Sequence, residues 1–532
     1  MRRLGAIIFV GSLLALAVPT AGLAGSQTGE RGMASKRSAI PLFGMKPGGV
    51  SQIECTAGGE TPVANLNLDC DEIFPNNEPD IEVDPEDPLH MIASSNDFGT
   101  CCDQFYTTFD GGETWETGNM SNAGPRTIGS DPVTVFDVKH GTAIHPSLSF
   151  RINGNWACDG NLVASVSSDG GLTWGPPVQV ADGVGCDPSR TQLFNDKEWI
   201  VTDNDPDSPF FGRTYLTWTL FESHNAAYAA SPIFESHSDD GGFSWSAPQE
   251  ISGSNPGLCT FQETGPAGEC DENQFSVPTV APDGTVYVAF ENEQNESLWE
   301  PGEVFEDQYL LVRSGDGGLT WSAPSFVVGV EDGSMDYPIS VAERQTLTGY
   351  QLRVNSAGNI VADPKSNGRL YLVFSDNRNG VHDSATPVTN VDVFLMTSTN
   401  GGASWTGPTQ VDASPSDQWF PWVEVNPVDG TVGIVYNDRS TVNPDLYGVG
   451  LTEITPGGST KTIVTTAPSD PTDSVFFQAG AAGCEECATF NGDYIGIAYG
   501  SDGVANVAWT DMRDFDADLG GFLQFIYFAR LD

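Results

Sequence analysis

One octapeptide, present five times, constrains this chain more than any other feature. Residues 108–115 read TFDGGETW, 167–174 SSDGGLTW, 238–245 SDDGGFSW, 314–321 SGDGGLTW and 398–405 STNGGASW. The tryptophans Trp115, Trp174, Trp245, Trp321 and Trp405 stand 59, 71, 76 and 84 residues apart. A motif recurring at that spacing implies one supersecondary unit per copy, with insertions of varied length between copies. Its chemistry is that of a tight hairpin turn. The carboxylate of Asp110, Asp169, Asp240 or Asp316, or the amide of Asn400, can bond backbone N–H groups two or three residues on. The Gly-Gly pair admits the positive φ that a sharp reversal needs. The tryptophan is expected to cap the hairpin against its own sheet. These residues read as structural, not catalytic.

Around the motif the chain divides into seven units. Each has three short apolar runs, then the turn, then a fourth run. The first unit has 80–84, 90–94 and 105–108, and the last has 494–499, 504–509 and 525–528. The runs are β-branched or aromatic and bounded by Gly, Pro, Asp and Asn, which is a strand signature. Unit six, over 419–451, lacks the octapeptide, and unit seven is one run short. The expected architecture is therefore all-β, in four-stranded antiparallel sheets. A strand near residues 52–56 is expected to complete the last unit and hide its open edge.

Three of the units carry a recurring acid–arginine pair after the second run. Unit five has Asp376 and Arg378, unit six Asp438 and Arg439, and unit seven Asp511 and Arg513. Either the three guanidiniums converge on an anion, which their fork suits, or each pairs with a neighbouring aspartate.

The octapeptide resembles the Asp-box, or BNR repeat, of the sialidase superfamily, and the resemblance covers residues 76–532. It implies a β-propeller with the box on the turn between the third and fourth strands of each blade. Seven blades fit the units here; six, the number in true sialidases, is the alternative. The resemblance is to secreted bacterial exo-sialidases. It implies an exo-glycosidase-type hydrolase acting on an extracellular glycan or glycoprotein. The alternative it also allows is a non-catalytic propeller that binds glycan or protein on the same loop face. By the same resemblance, Arg378, Arg439 and Arg513 would hold a substrate carboxylate. Tyr494 would be the nucleophile, helped by Glu198 or Glu424, with Asp97 as acid/base. The family's Phe-Arg-Ile-Pro motif is absent; residues 150–153 read FRIN instead.

The N-terminus bears on compartment. Arg2 and Arg3, an apolar run over 4–18 and small residues up to 25 form a secretory signal, with 1–24 removed. That run is too short to span a bilayer, so no membrane insertion is expected. Residues 25–75 read as a flexible leader with the ring-closing segment, and 76–532 as the propeller. Ten cysteines in an exported chain read as disulfides. Proximity suggests Cys55 with Cys70, Cys158 with Cys186, Cys259 with Cys270 and Cys484 with Cys487, leaving Cys101 and Cys102 as a vicinal pair. A balance of 22 Lys+Arg against 72 Asp+Glu, net −50, repels nucleic acid and anionic membranes. Six scattered histidines rule against a zinc enzyme. No cofactor is required, and calcium is the metal that the sequence leaves open. The alternating Asp203, Asp205 and Asp207 imitate a calcium loop, although Ser208 stands where an EF-hand has glycine.

Overall fold

Short β-branched and aromatic runs satisfy their backbone groups by pairing with neighbours, and the turn chemistry makes those neighbours consecutive. The computed structural model describes residues 54–531, except 57–64, 71–74, 100–102, 154–155, 226, 261–267, 294–306, 334, 341–343, 351, 384, 441–444, 473, 475–488 and 519. The signal segment and much of the leader fall outside the described residues. So do the side chain of Cys55 and all of Cys101, Cys102, Cys484 and Cys487.

Among the described residues there are seven sheets of four or five strands. In the first, Asn76–Asp84, Asp87–Asp97, Asp103–Thr108 and Thr114–Asn119 run antiparallel in chain order. The fourth, with Asn273–Val280, Val286–Asn292, Asp307–Ser314 and Ser325–Val330, repeats the order. The second sheet divides its innermost strand into Ile128–Ser130 and Val135–Asp137, both paired to Thr142–Asn153. The sixth sheet, Gln418–Val425 through Gly458–Ile463, is complete without an octapeptide. The first strands of successive sheets touch one another in turn, and the seventh touches the first. The sheets therefore form a closed ring around an axis, a β-propeller, in which no blade leaves a long open edge.

The segment that closes the ring is not the one expected. Leu66–Asn67 supplies the outer strand of the seventh sheet, pairing Leu66 with Phe528. Glu54–Thr56 instead adds a fifth strand outside Thr114–Asn119. The reason is side-chain chemistry just past Asn67. Leu68 is fully buried in a cluster with Trp115, Ile526 and Phe528. Asp69 accepts hydrogen bonds from Tyr106 Oη (2.5 Å), Asn76 Nδ2 (2.7 Å) and Ile526 N (2.6 Å), joining both ends of the chain.

All five octapeptides lie between third and fourth strands. In the first, Thr114 N and Oγ1 donate to the two Asp110 oxygens (2.9 and 2.6 Å), and Gly112 N donates to Thr108 Oγ1 (3.1 Å). Asp169, Asp240 and Asp316 repeat the pattern, and Asn400 keeps it through its amide. Both glycines have positive φ in every copy. The motif also reaches beyond its own sheet. Trp115 packs edge-on against Phe528 of the seventh sheet, and Trp174 against Phe105 of the first. The Gly170 carbonyl accepts from His90 and Thr107, and the Gly317 carbonyl from Arg213, each in the preceding sheet. The octapeptide is thus a joint between neighbouring blades as well as a turn.

Two expected disulfides are present, Cys158–Cys186 and Cys259–Cys270. Cys70 is also disulfide-bonded.

Candidate functional site

The innermost strands share an irregularity that composition does not announce. Pairing slips between Asn77 and Asp80, Asp196 and Trp199, Gln274 and Val277, and Trp419 and Trp422. At each slip one residue takes a left-handed backbone: Glu78 (φ 57°), Lys197 (49°), Phe275 (53°) and Phe420 (51°). Asp131 (φ 55°) does the same at the break in the second sheet. Non-glycine residues in this region cost about 1–3 kcal/mol each, so the surrounding fold must impose them. A bulge re-aims the side chains beside it. Here it turns them towards the axis, near the end of the propeller opposite the octapeptides.

Groups from four sheets and one insertion meet there. Glu78 and Asp131 are both fully buried, Asp131 Oδ1 accepts from Ser130 Oγ (2.6 Å), and burial raises the pKa of each. Asn96 Nδ2 donates to Glu78 Oε2 (2.6 Å), and Asn96 Oδ1 accepts from Asp131 N (2.8 Å). Asp493 N donates to Glu78 Oε1 (3.0 Å). Burial, then the charges of Asp131 and Asp493, hold the Glu78 carboxyl well above its usual range. Lys197 is 5 % exposed. Its ammonium sits 3.7 Å from the Tyr494 ring centroid and 4.3 Å from that of Trp199, with no hydrogen-bond partner among the described residues. Burial pulls its pKa down, and Asp131, Glu78, Glu198 and Asp493 oppose that pull.

The insertion, residues 331–359, crosses from the fourth sheet to the fifth over the loop face. It packs its own apolar cluster, Leu347, Tyr350 and Leu352, against Trp419 and Tyr447. Arg353 N donates to Thr489 O (2.8 Å), which fixes the insertion against the start of the seventh sheet. The Arg353 side chain is then delivered to the cluster. Its Nη2 donates to Asp493 Oδ2 (3.1 Å), while Nη1 is buried without a hydrogen-bond partner. Arg344 lies close enough that Arg353, after burial, lowers its pKa, to about 9.

The residues nominated from sequence divide between this cluster and elsewhere. Tyr494 and Glu198 belong to it. Tyr494 Oη donates to Pro132 O (3.5 Å) rather than to a carboxylate, and burial keeps the phenol far above its ordinary pKa. Glu198 is fully buried, with both oxygens lacking a hydrogen-bond partner, and burial then Asp131 raise its pKa. Asp97 sits at the end of a second strand, accepting from Gly99 N and Asn119 Nδ2 (both 2.7 Å). Glu424 is bonded by Val425 N (2.8 Å), and burial pushes its pKa up to about 7.

The three arginines hold different aspartates in different blades. Arg378 forks onto Asp376 (2.8 and 2.6 Å) and Arg513 onto Asp511 (2.8 and 2.6 Å). Arg439 bonds Asp417 (2.8 Å) and Thr348 O (2.7 Å), stacks on Tyr350, and so clamps the insertion. The loop with Asp203, Asp205 and Asp207 lies on the octapeptide face. Its carboxylates accept mainly from the loop's own N–H groups and from Ser208 Oγ, and its Phe210 packs on Gly317.

Sequence reading passed over Glu78, Asp131, Lys197, Arg344, Arg353 and Asp493. A faint signal exists: a polar residue or glycine precedes the first run in most units. The residue type changes from unit to unit, so only the shared backbone conformation makes the series visible. A separate cleft of about 720 Å³ lies on the octapeptide face, lined by Asp283, Tyr287, Arg313, Trp321, Asn367 and Asn400. Arg313 is already bonded across it to Gly401 O.

No protein-family model matches the chain, and no curated protein matches it. Solved structures that resemble it include an ulvan lyase at 11% identity, TM-score 0.46, covering 86% of this chain and 94% of that one. The NanB sialidase of Streptococcus pneumoniae is 10% identical, with TM-score 0.40 and 83% of each chain covered. An α-L-arabinanase of Penicillium chrysogenum is 13% identical, with TM-score 0.43, covering 71% of this chain and 94% of that one. These likenesses transfer no residue and no activity.

Proposed function

We propose that this chain is an exported exo-glycosidase-type hydrolase acting on carboxylate-bearing extracellular glycans at the axial cluster. The observation that carries the reading is Arg353: a buried guanidinium with Nη1 unpartnered, beside Arg344 and bonded to Asp493, in the cluster that holds Glu78 and Asp131. A guanidinium fork suits a sugar carboxylate, and a free N–H in a dry site gains most from meeting one. Glu78, kept protonated, is the proton donor to the leaving oxygen. Asp131 and Asp493 are the carboxylates left to activate water or stabilise positive charge on the ring. The disulfides fit an oxidising compartment. No helix among the described residues is long and apolar enough to cross a membrane.

Full burial of Glu78, Asp131 and Glu198 favours a second reading, a non-catalytic propeller whose polar centre is structural and whose loop face binds glycan or protein. Turnover of fluorogenic sialosides, uronides and neutral aryl glycosides separates the two. The hydrolase reading expects turnover of an acidic glycoside. It expects Arg353→Lys to cut kcat/KM by roughly 10- to 150-fold, because a point charge does not replace the fork. Glycan binding with no turnover of any acidic glycoside supports the second reading and sinks the first.

A further inference from the structure

The fourth sheet carries a group of acids that the axial cluster does not use. Glu291 is the penultimate residue of Val286–Asn292, Asp307 opens Asp307–Ser314, and Asp332 follows Ser325–Val330 by two residues. Register brings them together. Glu291 pairs with Tyr309, and Asp307 pairs with Val330. Side chains alternate across a strand, so Tyr309 and Asp307 share one face, and a position two beyond Val330 returns to it. One oxygen from each of the three carboxylates lies within 4.8 Å of the others.

What distinguishes this group from an ordinary acidic patch is that Glu291 and Asp332 each bury an oxygen that no donor meets. Glu291 is 4 % exposed and Asp332 9 %. Glu291 Oε1 and Asp332 Oδ1 are both enclosed with no hydrogen-bond partner. The charges acting on Glu291 are all acidic: Asp332, Glu293 and Asp376. The nearby cations are committed elsewhere, Arg378 to Asp376 and His382 to Asp336. Burial accordingly pushes Asp332 up to about 8. An unpaired carboxylate oxygen facing two others in a dry site is costly unless a cation or a proton meets it.

We propose that Glu291, Asp307 and Asp332 bind one calcium ion. Three carboxylates offer up to about six oxygens, close to the six to eight that calcium takes, and the absence of sulfur or imidazole from the set disfavours zinc. The insertion that carries Arg353 departs from the sheet at Asp332, so the ion would brace its root. This site is separate from the Asp203, Asp205 and Asp207 loop, which lies on the opposite face.

The test compares full-length wild type with Glu291→Gln and Asp332→Asn, each dialysed against EDTA, then titrated with calcium chloride or magnesium chloride by calorimetry and thermal melting. The expected result is one calcium per wild-type chain and a Tm rise of roughly 3–5 °C at a hundredfold excess over Kd. Magnesium should give a smaller rise, and each variant should bind calcium at least tenfold more weakly. Asp205→Asn, on the other face, should behave as wild type. Calcium binding equal in wild type and Glu291→Gln would place the ion elsewhere and overturn the proposal. So would a wild type blind to millimolar calcium beside a Glu291→Gln that melts higher, because protons would then be neutralising the group.

Discussion

Lys197 holds a position that a lysine adopts only under constraint. Its backbone is left-handed, its ammonium lies over two aromatic faces, and it is buried among carboxyl groups. Its charge is the counterweight that lets Asp131 and Asp493 sit at the axis. Lys197→Met keeps the length and removes the charge. At pH 8 the variant should lose about 3–5 kcal/mol, the range for breaking a buried ion pair. At pH 5 the deficit should shrink, because Asp131, whose pKa burial raises, takes up a proton and needs less counter-charge. Urea unfolding at both pH values measures this, and equal stability of the two proteins at pH 8 would refute the counterweight role.

At the scale of the element, the octapeptides are not five equal copies. Trp115 is fully buried, and its indole N–H donates to Gly112 O (3.1 Å). Trp174 is half-buried and its indole nitrogen has no hydrogen-bond partner. Trp115→Ala should therefore cost about 3–5 kcal/mol and Trp174→Ala clearly less, as read from denaturant midpoints. Gly171 shows why the second glycine is required. Its φ is 86°, and an added Cβ would stand 2.7 Å from Ile92 Cδ1 in the preceding blade. Gly171→Ala should thus destabilise the joint between the first and second sheets, by about 1–3 kcal/mol from the backbone alone. A Gly171→Ala protein that melts with wild type would mean the joint is not under that steric limit.

At the scale of the whole molecule, buried acids set the pH response. Burial raises Asp80 to about 6, Asp69 to about 7 and Asp103 to about 8. Folded values above the unfolded ones mean that stability is full below about pH 4 for these groups and is lost as pH rises through 6 to 8. The octapeptide carboxylates Asp110, Asp169 and Asp240 run the other way, held low by bonds from Thr or Ser and from backbone. Their contribution is present above the unfolded value and fades in stronger acid. The Tm should peak in mild acid and decline towards pH 9; a profile rising steadily to pH 9 would contradict this. Closure is the second property of the ring as a whole. A chain starting at residue 71 loses Leu66–Asn67, Leu68 and Asp69, and should melt far below one starting at residue 54. Similar melting of the two truncations would show that the seventh sheet does not depend on its borrowed strand.

The repeat alone determined the architecture. Five turns with one chemistry at regular spacing, between runs of strand-forming residues, admit little but a ring of antiparallel sheets, because turn chemistry and strand period are local. The proximity pairs Cys158–Cys186 and Cys259–Cys270 were legible for the same reason. Tyr494 and Glu198 were nominated and do meet at the axis, but their neighbours were not foreseeable. Lys197, Glu78 and Asp131 come together only because two bulges and one strand break in three blades turn them inward, and Arg353 only because an insertion crosses the ring. The closing strand likewise went to Leu66–Asn67 rather than Glu54–Thr56, since both are short and extended, and the choice rests on Leu68 and Asp69 finding partners more than 400 residues away. Sequence carries what neighbours along the chain decide. Which distant groups share a dry, low-dielectric centre is decided by closure of the ring, and the chemistry resides there.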